Sequence, residues 1–551
     1  MRRSCTYIGA GALAVLSVLA TPAASRAQDF DQTSCDEFLS ARREVRGRPV
    51  GPESCLMQET DVTFEGRAYR RLDIGLNGTT DGYLTREGDY REYLTNAPDL
   101  VFPQTADPGP VLFGIARYAR DTGAAMTVIY PLDRTTWNGK AWVTVHGRGR
   151  SFKEGSLKAW NRNLDRAHPL GDLNKYDQLM LAKGYALVKT HRTSSEGLGE
   201  IVTTLEDGST VDYCAFNDNA HYIMDFASVA FTAIERRLGA RPRRAYFYGH
   251  SAGARIGRGI NYQPGLNRRA DGQPFFDGIL ADDGAAGGWL PVLYKDGKDT
   301  LFTTEPSKAA FVPQLDISHQ NYNNVWPSKK PAYMSDSYLA NKRNNARILR
   351  DKGIAPAKER MYEVRGISHS GGEALPDGRR GEVQILDLSK AMDRFIDILD
   401  ARVEMGTDPP PTRSDWAVLG DADRDGVIEN PAIAFPDVAC PLGVYYPLEM
   451  TSAETAFAVF TGEGLEPLDR KGVFVDMNRN GVRDFRETPT EAWRRLGLLS
   501  AGETLTRARY EACVKTSAEQ LQTDGFFSAA TVRWYIAQAK TAPLEAKPAT
   551  R

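Results

Sequence analysis

The chain has 551 residues, of which 41% are hydrophobic, 10% aromatic and 25% charged. This ordinary globular composition excludes disordered, collagen-like and coiled-coil proteins, and the length favours two or three domains. With 69 Lys plus Arg against 71 Asp plus Glu, the net charge is -2. No basic excess therefore favours binding to nucleic acid or to an anionic membrane surface.

The first 27 residues have the features of an export signal. Arg2 and Arg3 precede an apolar run from Tyr7 to Ala20, and Ser25-Arg26-Ala27 supplies the small residues that a signal peptidase requires before its cleavage site. The apolar run is shorter than the ~20 residues of a bilayer span, and no later stretch is long and apolar enough to span. We therefore predict cleavage before Gln28, a secreted or periplasmic protein and no membrane span.

Cysteine usage fits an oxidising compartment. Five cysteines remain after the predicted cleavage, which are Cys35, Cys55, Cys214, Cys440 and Cys513. The simplest pairing joins cysteines of one region, Cys35 with Cys55 and Cys440 with Cys513, and leaves Cys214 free. The sequence has no CxxC motif, so zinc-ribbon and thioredoxin-like sites have no support.

From about Asp61 to Asp400, short β-rich runs alternate with helical stretches, which is typical of a mostly parallel sheet covered by helices. The predicted strands are Ala125 to Tyr130, Ala141 to Val145, Tyr185 to Thr190, Arg244 to Tyr248, Gly278 to Ala281, Phe311 to Ile317 and Arg360 to Val364. The apolar spacing predicts helices over Asn219 to Leu238, Leu339 to Asp351 and Val383 to Val403. The predicted fold class is therefore α/β.

A linker is predicted at Gly406 to Pro411, because Asp408-Pro409-Pro410-Pro411 cannot continue a helix. The predicted organisation is a signal peptide (1-27), an N-terminal extension (28-60), an α/β domain (61-405) and a C-terminal region (412-551). The last of these is expected to be a separate unit or an appendage, with a helix around Ala529 to Lys540.

The motif Gly249-His250-Ser251-Ala252-Gly253 lies directly after the predicted strand Arg244 to Tyr248 and before a stretch that can open a helix. This is the context of a nucleophile elbow, a sharp turn that presents a strained serine at the end of a strand. The residues two before and two after the serine must be glycine or small to avoid clashes, and both are glycine here. We predict Ser251 as a nucleophile.

A serine hydroxyl needs a base to remove its proton, and in the chain order Ser, acid, His that base follows the serine. Only His319 and His369 lie C-terminal to Ser251. His369 stands in a glycine-rich loop, Gly366 to Gly372, just after the predicted strand Arg360 to Val364, where it can lean over the elbow. We predict His369 as the base, with His319 as the rival.

A serine nucleophile and a histidine base form a catalytic triad with an acid, which orients the imidazole of the base. A carboxylate at a suitable strand end would serve as this acid. The loop from His319 to Asn324 has no carboxylate, whereas the predicted strand Gly278 to Ala281 ends in Asp282 and Asp283. We predict Asp283 as the acid. Its rivals are Asp282, Asp316 and Asp336.

Backbone N–H groups must also face the developing oxyanion. Ala252, the residue after the nucleophile, supplies one of them. The predicted strand Ala141 to Val145 runs into His146-Gly147-Arg148-Gly149, whose position and order match the loop that supplies the second donor. Gly147 and Arg148 are the predicted donors.

Four segments together carry a resemblance to one family. They are the loop His146 to Gly149, the run Thr190-His191-Arg192, the elbow with its following helix through Arg255, and the later Gly366-Ile367-Ser368-His369. In this combination the chain resembles an α/β-hydrolase over about Asp61 to Asp400. In that fold the acid usually follows the strand predicted at Phe311 to Ile317, and Asp283 has the alternative place, one strand earlier, used by some lipases. The elbow and Phe276 to Ala281 are also similar to the secreted tannase and feruloyl-esterase group. That resemblance implies hydrolysis of bulky, often aromatic esters, although His250 and Ser370 stand where the group has a disulfide-linked cysteine pair.

The C-terminal region has a second motif of its own. Residues Asp476 to Glu487 match a calcium loop at positions 1, 3, 5, 6, 9 and 12. The predicted oxygen ligands are Asp476, Asn478, Asn480, the Val482 carbonyl, Asp484 and Glu487. A weaker candidate begins at Asp421 and offers Asp423, Asp425 and Glu429, with Ala432 where the twelfth ligand belongs. Both loops are far in sequence from the predicted triad, so we expect structural Ca2+.

These features predict an exported serine hydrolase that cleaves small or polymeric carboxylic esters through an acyl-enzyme on Ser251, without a catalytic cofactor. A serine peptidase or amidase of the same fold stays open, because it would use the same triad and oxyanion hole. A third alternative is a calcium-dependent exported binding or adhesion protein whose hydrolase domain is inert.

Overall fold

A computed structural model describes residues 33–34, 43–45, 48–50, 54–77, 87–89, 110–112, 122–146, 152–153, 173–191, 200–204, 210–214, 218–262, 267–269, 271–284, 292–295, 298–299, 306–319, 346–365, 388–414, 432–442, 488–542 and 544. The chain divides into two compact units. The first comprises Met1–Asp277 and Gly287–Ala310, and the second comprises Gly278–Ala286 and Phe311–Arg551.

Nineteen strands are described. They are β1 (Thr33–Ser34), β2 (Arg43–Val45), β3 (Arg48–Val50), β4 (Ser54–Phe64), β5 (Arg67–Asn77), β6 (Glu87–Asp89), β7 (Pro110–Leu112), β8 (Thr122–Pro131), β9 (Lys140–His146), β10 (Phe152–Lys153), β11 (Ala186–His191), β12 (Glu200–Thr204), β13 (Thr210–Cys214), β14 (Arg244–His250), β15 (Gly278–Asp282), β16 (Val292–Lys295), β17 (Lys298–Asp299), β18 (Gln314–His319) and β19 (Glu359–Val364). The helices are α1 (Lys175–Ala182), α2 (Asp218–Leu238), α3 (Ala252–Tyr262), α4 (Ser389–Met405), α5 (Pro436–Ala439), α6 (Pro489–Arg495), α7 (Arg507–Thr523) and α8 (Ala529–Thr541). A further helical stretch covers 346–351.

The main sheet of the first unit has the strand order β1-β4-β5-β8-β11-β9-β14, with β10 beside β8. β8 is antiparallel to β5 and β11, whereas β11, β9 and β14 are parallel. Their register pairs Val145 with both Thr190 and Gly249. The three parallel strands therefore end together at one edge of the sheet. A smaller antiparallel sheet, β12-β13-β16-β17, and two antiparallel strand pairs, β2-β3 and β6-β7, complete the described strands of this unit.

The core of the first unit is built from these strands and from α2. The ring of Trp142 on β9 stacks on Tyr246 of β14, with the ring centroids 4.9 Å apart. The apolar periodic residues of α2 are buried, which confirms the predicted helix; they are Ile223, Phe226, Val229, Ala230, Ala233 and Ile234. Burial of each large apolar side chain contributes about 1.5–3 kcal/mol. The packed strands give β14 a rigid base just before the predicted elbow.

The second unit contains the parallel strands β15, β18 and β19, in that order. Helix α4 packs on β15 and β18. The ring of Tyr362 on β19 stacks on Phe395 of α4 at 5.4 Å and meets Phe526 edge-on at 5.1 Å. An aromatic cluster thus joins the last strand, α4 and the C-terminal helices in one core.

The described part of the C-terminal region belongs to this second unit. α4 ends at Met405, at the predicted linker, and Gly406 takes the left-handed φ of +70°. Beyond it, Arg413 and Ile433 form parallel bridges with Tyr362 and Val364 of β19. The predicted Cys440–Cys513 disulfide is present. The chain after the proline run therefore continues along the same sheet edge, and Phe526, beyond α7, packs on Tyr362 of β19.

The predicted strands are found, with ends that differ by a few residues. The largest difference is β18, which begins at Gln314 rather than Phe311 and runs on to His319. Pro313 precedes it and has no N–H to donate to a sheet. The Pro313 carbonyl still accepts the N–H of Ile279, and the regular strand begins at the next residue, Gln314. The predicted domain start at Asp61 lies inside β4, which pairs with β5 along its whole length.

Parts of the predicted organisation lie outside the described residues, including the signal segment 1-27 and the N-terminal part of each helix predicted at Leu339 and at Val383. Among the helices that the structure does describe, none combines the length and the apolar character that crossing a bilayer requires.

Candidate active site

Ser251 lies in a sharp turn between β14 and α3. β14 ends at His250 and α3 begins at Ala252, so one residue separates strand from helix. Ser251 has a φ of +59°, a left-handed conformation that costs a residue with a side chain about 1–2 kcal/mol. Such strain persists only where the surrounding structure imposes it, and it is common at functional sites.

The two glycines of the motif are required by close backbone contacts. A Cβ added to Gly249 would overlap the carbonyl group of Gly253, and one added to Gly253 would overlap the carbonyl oxygen of Val145. The turn is therefore folded tightly on itself and pressed against the end of β9. The strand, the left-handed serine and the helix form the sharp turn that the motif predicted, and this turn presents a half-buried Ser251 at the carboxyl edge of the sheet.

The elbow also places a helix N-terminus behind the serine. Ala252 is the first residue of α3, and N–H groups in the first turn of a helix have no partner within that helix. The partial positive charge at this end favours a developing oxyanion. Gly147 and Arg148, the predicted second donors, lie outside the described residues. They follow His146, the last residue of β9, whose neighbour Val145 contacts the elbow.

In the second unit the structure brings together Asp282, Asp283 and His319. All three side chains are fully buried. Asp282 Oδ1 lies 2.9 Å from Nε2 of His319, and Asp283 Oδ2 lies 3.4 Å from Nδ1 of the same ring. The two aspartates that the sequence offers as rival acids therefore both face the rival base.

The backbone of Asp283 is held as firmly as its side chain. It has a φ of +46°, its N–H donates to the carbonyl of Ile317 at 2.9 Å, and its Oδ1 accepts the backbone N–H of His319 at 2.8 Å. Asp283 thus ties the end of β15 to the end of β18 and stands at the carboxyl edge of these parallel strands, where the prediction placed an acid.

The other predicted site residues fall into two groups. Asp316 lies within β18, three residues before its end, and is buried, so it is not at the strand edge where a triad acid belongs. Outside the described residues lie His369, Asp336 and every predicted calcium ligand: Asp421, Asp423, Asp425, Glu429, Asp476, Asn478, Asn480, Val482, Asp484 and Glu487. Within the described part of the chain, no cluster of three or more His, Cys, Asp or Glu side chains is arranged to hold a metal ion.

The sequence analysis weighed His319 as the rival base or as a polar histidine at a strand end that supports the site, but it did not predict its grouping with both aspartates. The signal was present in the strand ends. Asp282 closes β15 and His319 closes β18, and parallel pairing of these strands aligns Asp282 with Ile317. Asp282 and His319 are two residues apart in register, on the same face of the sheet.

No protein-family model matches the chain, and no curated protein matches it. Solved structures similar to it include a truncated carbohydrate esterase from gut microbiota, with 14% identity, a TM-score of 0.28 and coverage of 49% of this chain and 89% of that one. An esterase from Pyrobaculum calidifontis has 13% identity, a TM-score of 0.28 and coverage of 52% and 81%. A poly(3-hydroxybutyrate) depolymerase from Bordetella parapertussis has 14% identity, a TM-score of 0.27 and coverage of 53% and 86%. Likeness at this level carries no weight for function, which rests on the geometry of the chain itself.

Proposed function

We propose that the chain is a serine hydrolase of the α/β-hydrolase type that cleaves carboxylic esters through an acyl-enzyme on Ser251. The observation that carries the proposal is the strained Ser251 between two glycines that tolerate no Cβ. A strand, a left-handed serine and a helix in immediate succession are the parts of a nucleophile elbow. The sequence resemblance to α/β-hydrolases supports the same assignment.

In the proposed reaction, Ser251 Oγ attacks the acyl carbon of the ester while His369 accepts the hydroxyl proton. The tetrahedral oxyanion is stabilised by the Ala252 N–H at the start of α3 and by an N–H of Gly147 or Arg148. His369 then gives its proton to the departing alcohol oxygen, which leaves the acyl group on Ser251. A water molecule repeats the attack, releases the acid and restores the serine. Asp283 orients His369 throughout.

The first test is covalent labelling of the full-length chain with a fluorophosphonate, followed by hydrolysis of p-nitrophenyl esters and aminoacyl p-nitroanilides. We expect labelling at Ser251 and a higher kcat/KM for the esters. The Ser251→Ala variant should lose labelling and about 10³-fold or more of the esterase activity. Ser228→Ala, which changes a half-buried serine on α2, is the control and should retain both.

Three results would separate the alternatives. Preference for the anilides would favour a peptidase or amidase. Labelling that persists in Ser251→Ala would remove Ser251 from the nucleophile role. A folded chain with neither labelling nor hydrolysis would favour the calcium-dependent binding protein with an inert hydrolase domain.

Export to a secreted or periplasmic location is part of the proposal. It is supported by the arginine pair, apolar run and small residues of the first 27 positions, and by the Cys440–Cys513 disulfide, since such bonds persist in oxidising compartments. N-terminal sequencing of the protein recovered outside the cytoplasm should begin at Gln28. Recovery of the uncleaved chain in the cytoplasm alone would contradict it.

Structural calcium in the loop Asp476 to Glu487 is also proposed. The spacing of oxygen ligands supports it, and so does the chain that follows. Helix α6 begins two residues after Glu487, with Thr488 as N-cap and Glu491 completing a capping box. A capped helix start fixes the chain directly beyond the last proposed ligand.

A further inference from the structure

One buried hydroxyl at the carboxyl edge of the first unit has no hydrogen-bond partner. Thr190 lies one residue before the end of β11, its side chain is 1% exposed, and its Oγ1 neither donates nor accepts a hydrogen bond. A buried polar group without a partner costs stability, and such groups are rare in folded proteins. Valine would fill the same space without that cost. The fold of the free chain therefore gives no reason for a hydroxyl at this position.

The place of Thr190 in the sheet distinguishes it from the other buried side-chain atoms without a hydrogen bond. In the described part of the first unit, these are Gln58 Oε1 and Trp142 Nε1. Gln58 lies on β4, three strands away from β11, and Trp142 lies near the start of β9. Of the three, Thr190 alone stands level with the elbow on a strand beside β9.

The side chain of Thr190 points to the face of the sheet on which the elbow packs. At the preceding positions of β11 and β9, Lys189 and Thr144 bind the same aspartate of α1, at 2.7 and 3.4 Å. Alternation along the strands turns Thr190 and its register partner Val145 to the opposite face. A Cβ added to Gly253 would lie 3.4 Å from the Cβ of Val145. The start of α3 therefore packs on the face that Thr190 shares.

Val145 connects Thr190 with the elbow. It pairs with Thr190 on one side and with Gly249 on the other, and its carbonyl oxygen leaves no room for a Cβ on Gly253. Because interiors are close-packed, a displacement of the elbow also displaces the end of β9. Neighbouring strands lie about 4.8 Å apart, so Thr190 adjoins this strand end. Since it is buried, Thr190 acts on the elbow through β9 and not on the ester itself.

We propose that Thr190 is a positioning residue whose hydroxyl bonds to the backbone at the end of β9 only when Ser251 has attacked the ester, and so holds the elbow in its reacting position. The inference rests on the proposed function, in which Ser251 is the nucleophile. The attack draws Ser251 toward the acyl carbon, and the contact of Gly253 with Val145 passes this displacement to β9. A backbone carbonyl has two lone pairs, so it can accept the hydroxyl in addition to its sheet hydrogen bond. A bond made in the reacting state alone raises kcat without tightening substrate binding.

The test compares Thr190→Val and Thr190→Ser with the unaltered full-length chain, in hydrolysis of p-nitrophenyl acetate and in thermal unfolding. In Thr190→Val, loss of a hydroxyl that is unbonded in the free chain should raise Tm by about 2 °C. Loss of its bond in the reacting state should lower kcat about 10-fold, with KM little changed. Thr190→Ser keeps the hydroxyl, so it should retain most of kcat although it loses a buried methyl group.

Thr127→Val is the matched control. Thr127 is a buried threonine of the same sheet, and its hydroxyl is already bonded in the free chain, to Asp73 at 2.8 Å. Its replacement should lower Tm and leave kcat unchanged at temperatures well below Tm. A merely structural hydroxyl behaves like that of Thr127, whereas the proposed role requires Tm and kcat of Thr190→Val to move in opposite directions.

Three results would overturn the inference. If Thr190→Val retains full kcat, the hydroxyl takes no part in the reaction. If Thr190→Val lowers Tm or does not fold, the hydroxyl already stabilises the free chain. If Thr190→Ser loses as much kcat as Thr190→Val, the shape of the side chain matters and its hydroxyl does not.

Failure of the inference is distinguishable from failure of the proposed function. If the unaltered chain hydrolyses the ester, Ser251→Ala does not, and Thr190→Val retains full kcat, only the positioning role is wrong. If hydrolysis is absent, or survives in Ser251→Ala, the proposed function is wrong and the positioning role falls with it.

Discussion

Gly253 lies against the carbonyl oxygen of Val145 without room for a Cβ. The Gly253→Ala variant must therefore move either the elbow or the end of β9. Overpacking of this kind costs about 1–3 kcal/mol of stability. Displacement of a nucleophile by about 1 Å costs about 10²-fold in rate. We expect kcat/KM for p-nitrophenyl acetate to fall by at least that factor in protein that remains folded by circular dichroism.

Gly272→Ala is the matched control for this prediction. Gly272 has a φ of +79° but nothing within 4 Å of an added Cβ, so the change strains the backbone without a clash. It should cost about 1–2 kcal/mol in stability and leave kcat/KM unchanged. Equal kinetic losses in the two variants would show that the close approach to Val145 is irrelevant to the elbow.

At the scale of the elements, β5 carries two successive arginines in different surroundings. Arg71 is buried and binds Asp73 through two nitrogens at 2.9–3.1 Å, and Thr127 of β8 donates to the same carboxylate at 2.8 Å. Asp73→Ala leaves a buried guanidinium without this carboxylate, which costs about 3–5 kcal/mol. Urea denaturation should show this loss as a lower midpoint with an unchanged slope.

The control for the Asp73→Ala prediction is a neighbouring ion pair, whose arginine lies on the opposite face of β5. Arg70 binds Asp61, whose side chain is 60% exposed, so Asp61→Ala should cost less than about 1 kcal/mol. The double variant Arg71→Met with Asp73→Leu should recover most of the loss, because apolar side chains often replace a buried ion pair without penalty. Similar losses for Asp61→Ala and Asp73→Ala would contradict the role given to burial.

The strands and α2 could be predicted because their apolar pattern is set by burial. β14 is buried along nearly its whole length and reads as a continuous apolar run, which is how a central parallel strand appears in a sequence. The start of β18 could not be placed from composition, because Phe311 and Val312 before it are more apolar than the strand itself, in which Gln314, Asp316 and Ser318 are polar. The missing N–H of Pro313 decided it instead.

The elbow could be predicted for a different reason, since its backbone restricts residue types at fixed spacing. Gly249 and Gly253 are dictated by contacts within a few residues and with β9. The predicted acid has no such local signature. That both Asp282 and Asp283 reach His319 depends on the register of β15 with β18 and on the left-handed turn at Asp283, and the residue types alone fix neither.

At the scale of the whole molecule, the Cys440–Cys513 disulfide closes a segment whose ends are 73 residues apart in sequence. A cross-link over a loop of this length stabilises by about 4 kcal/mol through the unfolded state, within a usual range of about 2–5. The Cys440→Ser, Cys513→Ser double variant should lose this amount in urea denaturation. Trp493 is a suitable probe, because its buried ring donates to the carbonyl of Pro441 at 2.8 Å.

Each single cysteine variant should lose as much stability as the double variant, since either removes the same bond. The unaltered chain in reductant should match them. The disulfide joins α5 to α7. If the urea midpoint of the double variant is not lowered, the packing of these helices stabilises the segment without the disulfide.

The same segment contains the proposed calcium loop Asp476 to Glu487, so metal and disulfide act on one part of the chain. Calcium that binds only the folded chain stabilises it by about 2.7 kcal/mol at 100 times its Kd. EGTA should therefore lower Tm, and added Ca2+ should restore it. Because the loop is far in sequence from the predicted triad, the proposed esterase activity of the folded chain, measured as kcat/KM, should not change.

Glu487→Gln removes the bidentate carboxylate of the twelfth position and should abolish the EGTA effect. Glu429→Gln is the matched control, because that loop has Ala432 at its twelfth position and binds more weakly by the same reasoning. Titration calorimetry should then show the stronger calcium binding lost in the first variant and retained in the second. If EGTA still lowers the Tm of the Glu487→Gln variant, the calcium binds elsewhere in the chain. If EGTA lowers kcat/KM at temperatures well below Tm, the role of the calcium is more than structural.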